Sequence, residues 1–143
     1  MELKEVIDKR KSIRKYIKKD VSKEALEYLI KNAILAPSAK NRQPWKLVIV
    51  KDKIKNKIAD MMIKKEKELL LTMDRKNSSV MNTAKIIKEA PILILVLKEY
   101  DKNWMISDCL SIGAAIEHIC LSATNLGVAL LKSFYLILQM TYP

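Results

Sequence analysis

Apolar residues along this chain recur mostly every three or four positions, and twice they bunch into short continuous runs. Leu3, Val6 and Ile7 have helical spacing, so the first element predicted is a short helix near residues 2–10. The stretch "RKSIRKYIKKD", residues 10–20, has no such period and is expected to run extended. Ser22 then suits the N-cap of a second helix, with Glu24 in its first turn. Leu26, Leu29, Ile30 and Ala33 make the stripe this helix should bury, and Pro37 stops it. "APSAKNRQPW", residues 36–45, is therefore a helix exit. Directly after it "WKLVIV" forms a short β-rich run, and "PILILVL" at 91–97 forms another, each long enough for a buried strand. Residues 53–72 read as one helix and 79–89 as a weaker one. "NWMISDCLSIGAAIEHICLSATNLG" reads as a long apolar helix closed by Gly127. Alternating helices and strands imply an α/β or α+β sandwich in which helices cover a small sheet.

Composition narrows the picture. The chain has 143 residues, a length suited to a single domain that buries roughly two thirds of the surface its unfolded chain exposes. Half the residues are hydrophobic and 30% are charged, which fits neither a disordered tail nor a membrane protein. The charged N-terminus lacks the apolar core of a secretory signal, so a cytoplasmic location is expected. The mostly apolar run after Gly127, interrupted by Lys132, is too short to cross a bilayer.

The formal net charge is +11, and seven lysines fall between Lys51 and Lys67. That stretch also holds Asp52, Asp60 and Glu66 and has no aromatic residue to stack on bases, so it reads as a solvated helix face and not as a nucleic-acid surface. A small anionic ligand is compatible with the charge. Cys109 and Cys120 are too far apart on one helix to form a disulfide and read as packing residues. With His118 they make no metal-ligand spacing. Gly113 and Gly127 are the only glycines, too few for a Rossmann or P-loop phosphate cradle.

A different cradle is available at "RKSIRKY". In an extended segment Arg10, Ser12 and Arg14 project to one side, and two guanidinium forks flanking a hydroxyl suit a phosphate. The turn at 36–45 can aim amides and backbone N–H groups at the edge of a planar heteroaromatic ring. Taken together, RxSxR about 25 residues ahead of PSxxNxQPW, with a helix between and a strand after, resemble the nitroreductase family of FMN-dependent oxidoreductases. The resemblance is strong over residues 1–50 and continues through "EAPILILV" and the long helix.

That resemblance implies an α+β, three-layer sandwich with a small central sheet flanked by helices, working as an intertwined homodimer with FMN at the subunit interface. Arg10, Lys11, Ser12 and Arg14 match the segment that holds the FMN phosphate, ribityl chain and pyrimidine edge. Pro37, Ser38 and Asn41 match the segment that lines the flavin from the partner subunit, and Asn82 lies near a position where relatives offer the flavin an amide. No metal and no dedicated acid–base residue is expected. The activity implied is hydride transfer from NADH or NADPH through flavin N5 to a nitroaromatic, a quinone or a similar small acceptor. The apolar circumference of the long helix independently favours a dimer. After Gly127 family members continue with a strand, a flavin-covering loop, a basic phosphate ligand and a crossing tail, whereas this chain reads "VALLKSFYLILQMTYP". A C-terminal portion that is atypical or truncated is therefore expected, with weakened FMN binding and electron leakage to dioxygen. Two alternatives stay open: a flavin-binding or dimerising remnant without efficient turnover, and a basic nucleic-acid-binding module.

Overall fold

The computed structural model describes residues 1–17, 19–72, 79–131 and 139–140. Its elements, in order, are α1 (Leu3–Lys9), α2 (Lys23–Ile34), β1 (Lys46–Lys51), α3 (Asp52–Thr72), α4 (Ser79–Glu89), β2 (Ile92–Glu99), α5 (Met105–Asn125) and β3 (Gln139–Met140). The strands form one sheet in the order β1-β2-β3, with β2 and β3 parallel and Lys98 in register with Gln139. The expectations for the tail after Gly127 fall mostly outside the described residues.

The chain divides into two compact units. The first comprises residues 1–13, 21–48 and 95–143. Its centre is α5, against which α1 and α2 pack. Asp108, Ser111, Ile112, Ala115, Ile119, Cys120, Ser122 and Ala123 form the buried face of α5, the three- and four-residue spacing of a single stripe. By length and mean hydropathy, 1.3, α5 could cross a membrane, yet this stripe is packed inside the unit. Its opposite side is open at the N-terminal end alone, where Ile106 is 77% and Leu110 71% exposed, and is half-covered from residue 113 on. Cys120 is buried as expected, whereas Cys109 lies on the exposed side.

Helix ends follow their local chemistry. The Ser22 hydroxyl accepts from the Ala25 N–H at 3.2 Å, satisfying one of the free donors at the start of α2. Leu26, Leu29 and Ala33 are buried beneath it, with Ile30 only half-covered. α5 ends in a Schellman turn: Gly127, at φ 68°, donates to the Thr124 carbonyl and Val128 to that of Ala123. Glycine reaches that left-handed conformation without a Cβ penalty. α1 departs from expectation, because only Val6 is buried while Leu3 and Ile7 are exposed. β1 departs too; only Val50 is fully buried, as suits an outer strand covered less completely than β2, where Leu93, Leu95 and Val96 are buried.

The second unit comprises residues 14–20 and 49–94. β1 runs into α3 without a loop, the reversal being made by Asp52 at φ 50°, a conformation that Asp tolerates better than most residues. α3 packs along α4. Most lysines between 51 and 67 are solvated, as their spacing suggests, but Lys55 is 4% exposed. Its Nζ donates to the carbonyls of Ile87 at 2.6 Å and Lys88 at 2.9 Å. It thus satisfies acceptors at the C-terminal end of α4, where a cation is also favoured by the helix dipole.

Burial pushes the Lys55 pKa down, against an opposing influence from Asp52. The proton is therefore held less tightly in the folded state, and this residue's contribution to stability should rise with pH from its depressed pKa toward the ordinary lysine value of about 10.4. Lys55→Met removes the donor from two inward-facing carbonyls and is expected to cost about 1–3 kcal/mol in urea unfolding near neutral pH. The gap between wild type and variant should widen as the pH approaches about 10; an equal midpoint at both pH values would refute this role.

Candidate functional site

Two features of the first unit can carry chemistry. One is a cavity of about 270 Å³ lined by Lys9–Ile13 on one side and by Cys120, Thr124 and Gly127–Leu130 on the other. The chain leaves α1 at Arg10, whose backbone has turned extended and whose N–H still bonds the Val6 carbonyl at 3.0 Å. Three residues later the Ile13 N–H donates to the Leu130 carbonyl at 3.1 Å, tying the extended segment to the backbone beyond the α5 Schellman turn. The cavity lies between these two ties.

Its electrostatics are unequal. Lys9 is paired with Glu5 at 2.6 Å. Arg10 reaches Glu117 only at 3.8 Å, with both side chains more than one third exposed, a weak pair. Lys11 has no carboxylate partner among the described residues. Cationic capacity therefore rests on Arg10 and Lys11, with the Ser12 hydroxyl beside them. The opposite wall, from Cys120, Val128, Ala129 and Leu130, is mostly apolar.

The second feature is the turn at residues 38–43. Lys40, Asn41 and Gln43 have φ values of 51°, 54° and 47°, left-handed conformations that cost a non-glycine residue roughly 1–2 kcal/mol each. The base of the turn is fastened by hydrogen bonds. Ser38 Oγ accepts from the Gln43 N–H at 3.0 Å, and Ser111 Oγ of α5 accepts from the Ala39 N–H at 3.3 Å. Arg42 extends from the turn to α5. Its Nε lies 3.4 Å from Asp108 Oδ1 and its Nη2 3.1 Å from Asp101 Oδ2. The guanidinium also stacks over Trp104 at 4.4 Å from the ring centroid, within cation–π range. Asp108 is 1% exposed. Its other oxygen faces Lys98 Nζ at 3.5 Å, and that amine also donates to the Glu99 carbonyl at 2.7 Å.

The structure brings Arg10 and Ser12 together at the cavity, but Lys11 and Ile13 line it as well, so strict alternation of sides does not hold there. Arg14 is exposed and belongs to the second unit, as does Asn82, exposed on α4. Pro37 and Asn41 are exposed on the separate turn, and Ser38 spends one lone pair inside it. Sequence reasoning missed Thr124 and residues 128–130 as cavity wall. It also missed Arg42, Lys98, Trp104 and Asp108. The available signal for Asp108 was an acid within the apolar stripe of "ISDCLSIGAA".

Helices with a small sheet and a basic segment beside a partly apolar cavity define an α+β protein with one basic-walled candidate site. The nitroreductase family model matches residues 7–133, and the chain belongs to that family. Among solved structures, a BluB-like flavoprotein of Clostridium difficile 630 superposes with a TM-score of 0.72 at 35% identity, covering 89% of this chain and 71% of that one. A nitroreductase with bound FMN from Desulfitobacterium hafniense DCB-2 gives 0.70 at 28% identity, over 89% and 66%. A protein of Archaeoglobus fulgidus, named provisionally as an NADH dehydrogenase/NAD(P)H nitroreductase, is 32% identical over 83% of this chain and 59% of its own length. Iodotyrosine deiodinase 1 of Mus musculus is 36% identical over 66% of this chain and 36% of its own length. The chain thus spans less than two thirds of the length of either curated relative.

Lys98→Met would leave the Asp108 carboxylate deep in the unit with Arg42 as its remaining cation. Breaking a buried pair from one side costs about 3–5 kcal/mol, and Arg42 should hold the loss near the lower figure. Urea unfolding of the variant measures it; a loss below about 1 kcal/mol would mean that the pair behaves like an exposed one.

Proposed function

We propose that the chain binds FMN and serves an oxidoreductase that uses NADH or NADPH to reduce a small acceptor such as a nitroaromatic or a quinone. The observation carrying this reading is the cavity whose basic wall is Lys9–Ser12, the segment expected from the RxSxR motif to hold a flavin phosphate. The residues present fit FMN: Arg10 and Lys11 can meet a dianionic phosphate with charge-assisted hydrogen bonds, and Ser12 adds a hydroxyl. Cys120, Val128, Ala129 and Leu130 offer apolar surface on the other side.

Bound FMN would supply the redox chemistry, accepting a hydride at N5 and passing its reducing equivalents onward. The protein's own part is to bind and orient. Arg10 can exchange its long contact with Glu117 for a phosphate or pyrimidine oxygen, so Glu117 keeps the guanidinium near the cavity before a ligand arrives. A fixed cation near the pyrimidine edge also stabilises negative charge developing there. The resemblance assigns Pro37, Ser38 and Asn41 to the flavin site of a partner subunit, Arg14 to the phosphate and ring anchors, and Asn82 to an amide contact with the flavin. No side chain is assigned a proton-transfer role.

Assembly as a homodimer is part of the proposal. Ile106 and Leu110 lie one turn apart at the N-terminal end of α5 and are both largely exposed, and apolar side chains left in water together favour association. Sedimentation velocity at micromolar concentration should show a dimer, converted to monomer by Ile106→Glu with Leu110→Glu. A stable wild-type monomer would overturn that part.

Replacing Arg10 by Ala should weaken FMN by about 1.5–3 kcal/mol, or roughly ten- to over a hundredfold in Kd. Quenching of flavin fluorescence reads the affinity, and NADPH consumption with and without a nitroaromatic reads the activity. Unchanged FMN affinity in a folded Arg10→Ala protein would remove the cavity from the flavin site.

A further inference from the structure

The turn at 38–43 combines a strained backbone with two long side chains that both reach the Trp104 ring, the Arg42 guanidinium at 4.4 Å and the Lys40 amine at 5.2 Å from its centroid, of which Arg42 alone also meets carboxylates. Three of its six residues are left-handed without being glycine, so the conformation persists only where surrounding contacts over-determine it. The Ser38 and Ser111 hydroxyls hold its base. Arg42 holds its far end, and in several directions at once: Nε toward buried Asp108, Nη2 toward Asp101, and the guanidinium face on Trp104. A planar fork divided between two carboxylates and an indole has little freedom left.

We propose that Asp108 and Arg42 form a latch that keeps this turn in its strained conformation, and so act as positioning residues for Pro37, Ser38 and Asn41; the consequence for cofactor binding rests on the reading of those three as flavin-facing. The latch can open without dismantling the core. Asp108 keeps Lys98 on its second oxygen when Arg42 withdraws, so the buried carboxylate remains paired. Arg42 itself is about one third exposed and can return to water. Opening therefore releases the turn before it threatens the fold, the behaviour of a local opening unit.

Trypsin provides a direct readout, because Lys40 is exposed at the tip and the Lys40–Asn41 bond is cleavable once the turn loosens. In protein freed of FMN and held well below its own thermal midpoint, Arg42→Gln should be cut at Lys40 about tenfold or more faster than wild type, while its midpoint falls by less than that of Lys98→Met because Arg42 is the more exposed of the two cations. The same variant should bind FMN about tenfold or more weakly, and the absorbance fine structure of added FMN should shift toward that of free FMN. Arg42→Lys keeps the charge but cannot fork, and should recover only a minor part of either property. Asp101→Asn, which leaves Asp108 fully paired, should move both readouts in the same direction by less, and it decides the matter if Arg42→Gln does not fold. Cleavage at the wild-type rate in the FMN-free variants overturns the latch, whatever the affinity does. Faster cleavage with unchanged FMN affinity upholds the latch and overturns the reading of the turn as a cofactor wall.

Discussion

A carboxylate that has lost nearly all contact with water must be met by cations or give up its charge. Asp108 is met on both oxygens, by Lys98 from the end of β2 and by Arg42 from the turn after α2. Around it the packing of α5 is made of Ile, Ala and Cys side chains, whose contacts are non-directional and would tolerate a shifted helix. The two ion pairs do not tolerate it. They tie the first turns of α5 to Lys98 at the end of β2 and to the turn after α2, and Ser111, one turn further on, then receives the backbone of Ala39. A buried ion pair adds little bulk stability over an apolar substitute; its value here is direction.

The elements that depend on neighbours in sequence were legible. Helical spacing located α3 and α4 almost to the residue, Ser22 capped α2, and Gly127 closed α5. What stayed hidden depends on partners far along the chain. Lys55 looked like one more solvated lysine because the carbonyls it serves belong to residues 87 and 88. The strain at 40–43 was invisible because Lys, Asn and Gln carry no signature of a left-handed backbone comparable to glycine, and the fastening comes from residues beyond 100. Within the candidate site, residues 10–12 of the RxSxR segment lie on the basic wall, whereas the apolar wall, at Cys120, Thr124 and 127–130, carries no motif that sequence could have named. β1 read as buried from composition alone; its position at the side of the sheet is a matter of topology, which a run of apolar residues does not encode.

Both walls of the cavity are exits from helices. Arg10 is the C-cap of α1, and residues 128–130 follow the C-terminal turn of α5. Helix C-termini carry partial negative charge on unpaired carbonyls, and the cations at 9–11 offset it on the α1 side. On the α5 side the Schellman hydrogen bonds from Gly127 and Val128 occupy two of those carbonyls internally, leaving that wall less repellent to an anion than an uncapped helix end would be.

The hydrogen bond from Ile13 to the Leu130 carbonyl joins residues 117 positions apart in sequence. A contact of such separation closes a very large loop, and its entropy must be met before the contact gives anything back. During synthesis at roughly 5–20 residues per second, the N-terminal segment therefore waits several seconds, bearing its basic side chains without an opposite wall, until residue 130 has cleared the ribosome. Helices α1, of 7 residues, and α2, of 12, can only flicker in that interval, since helices so short gain most of their stability from packing, here on α5. The cavity cannot form at all, which makes it one of the last features of the first unit to come into existence on the nascent chain.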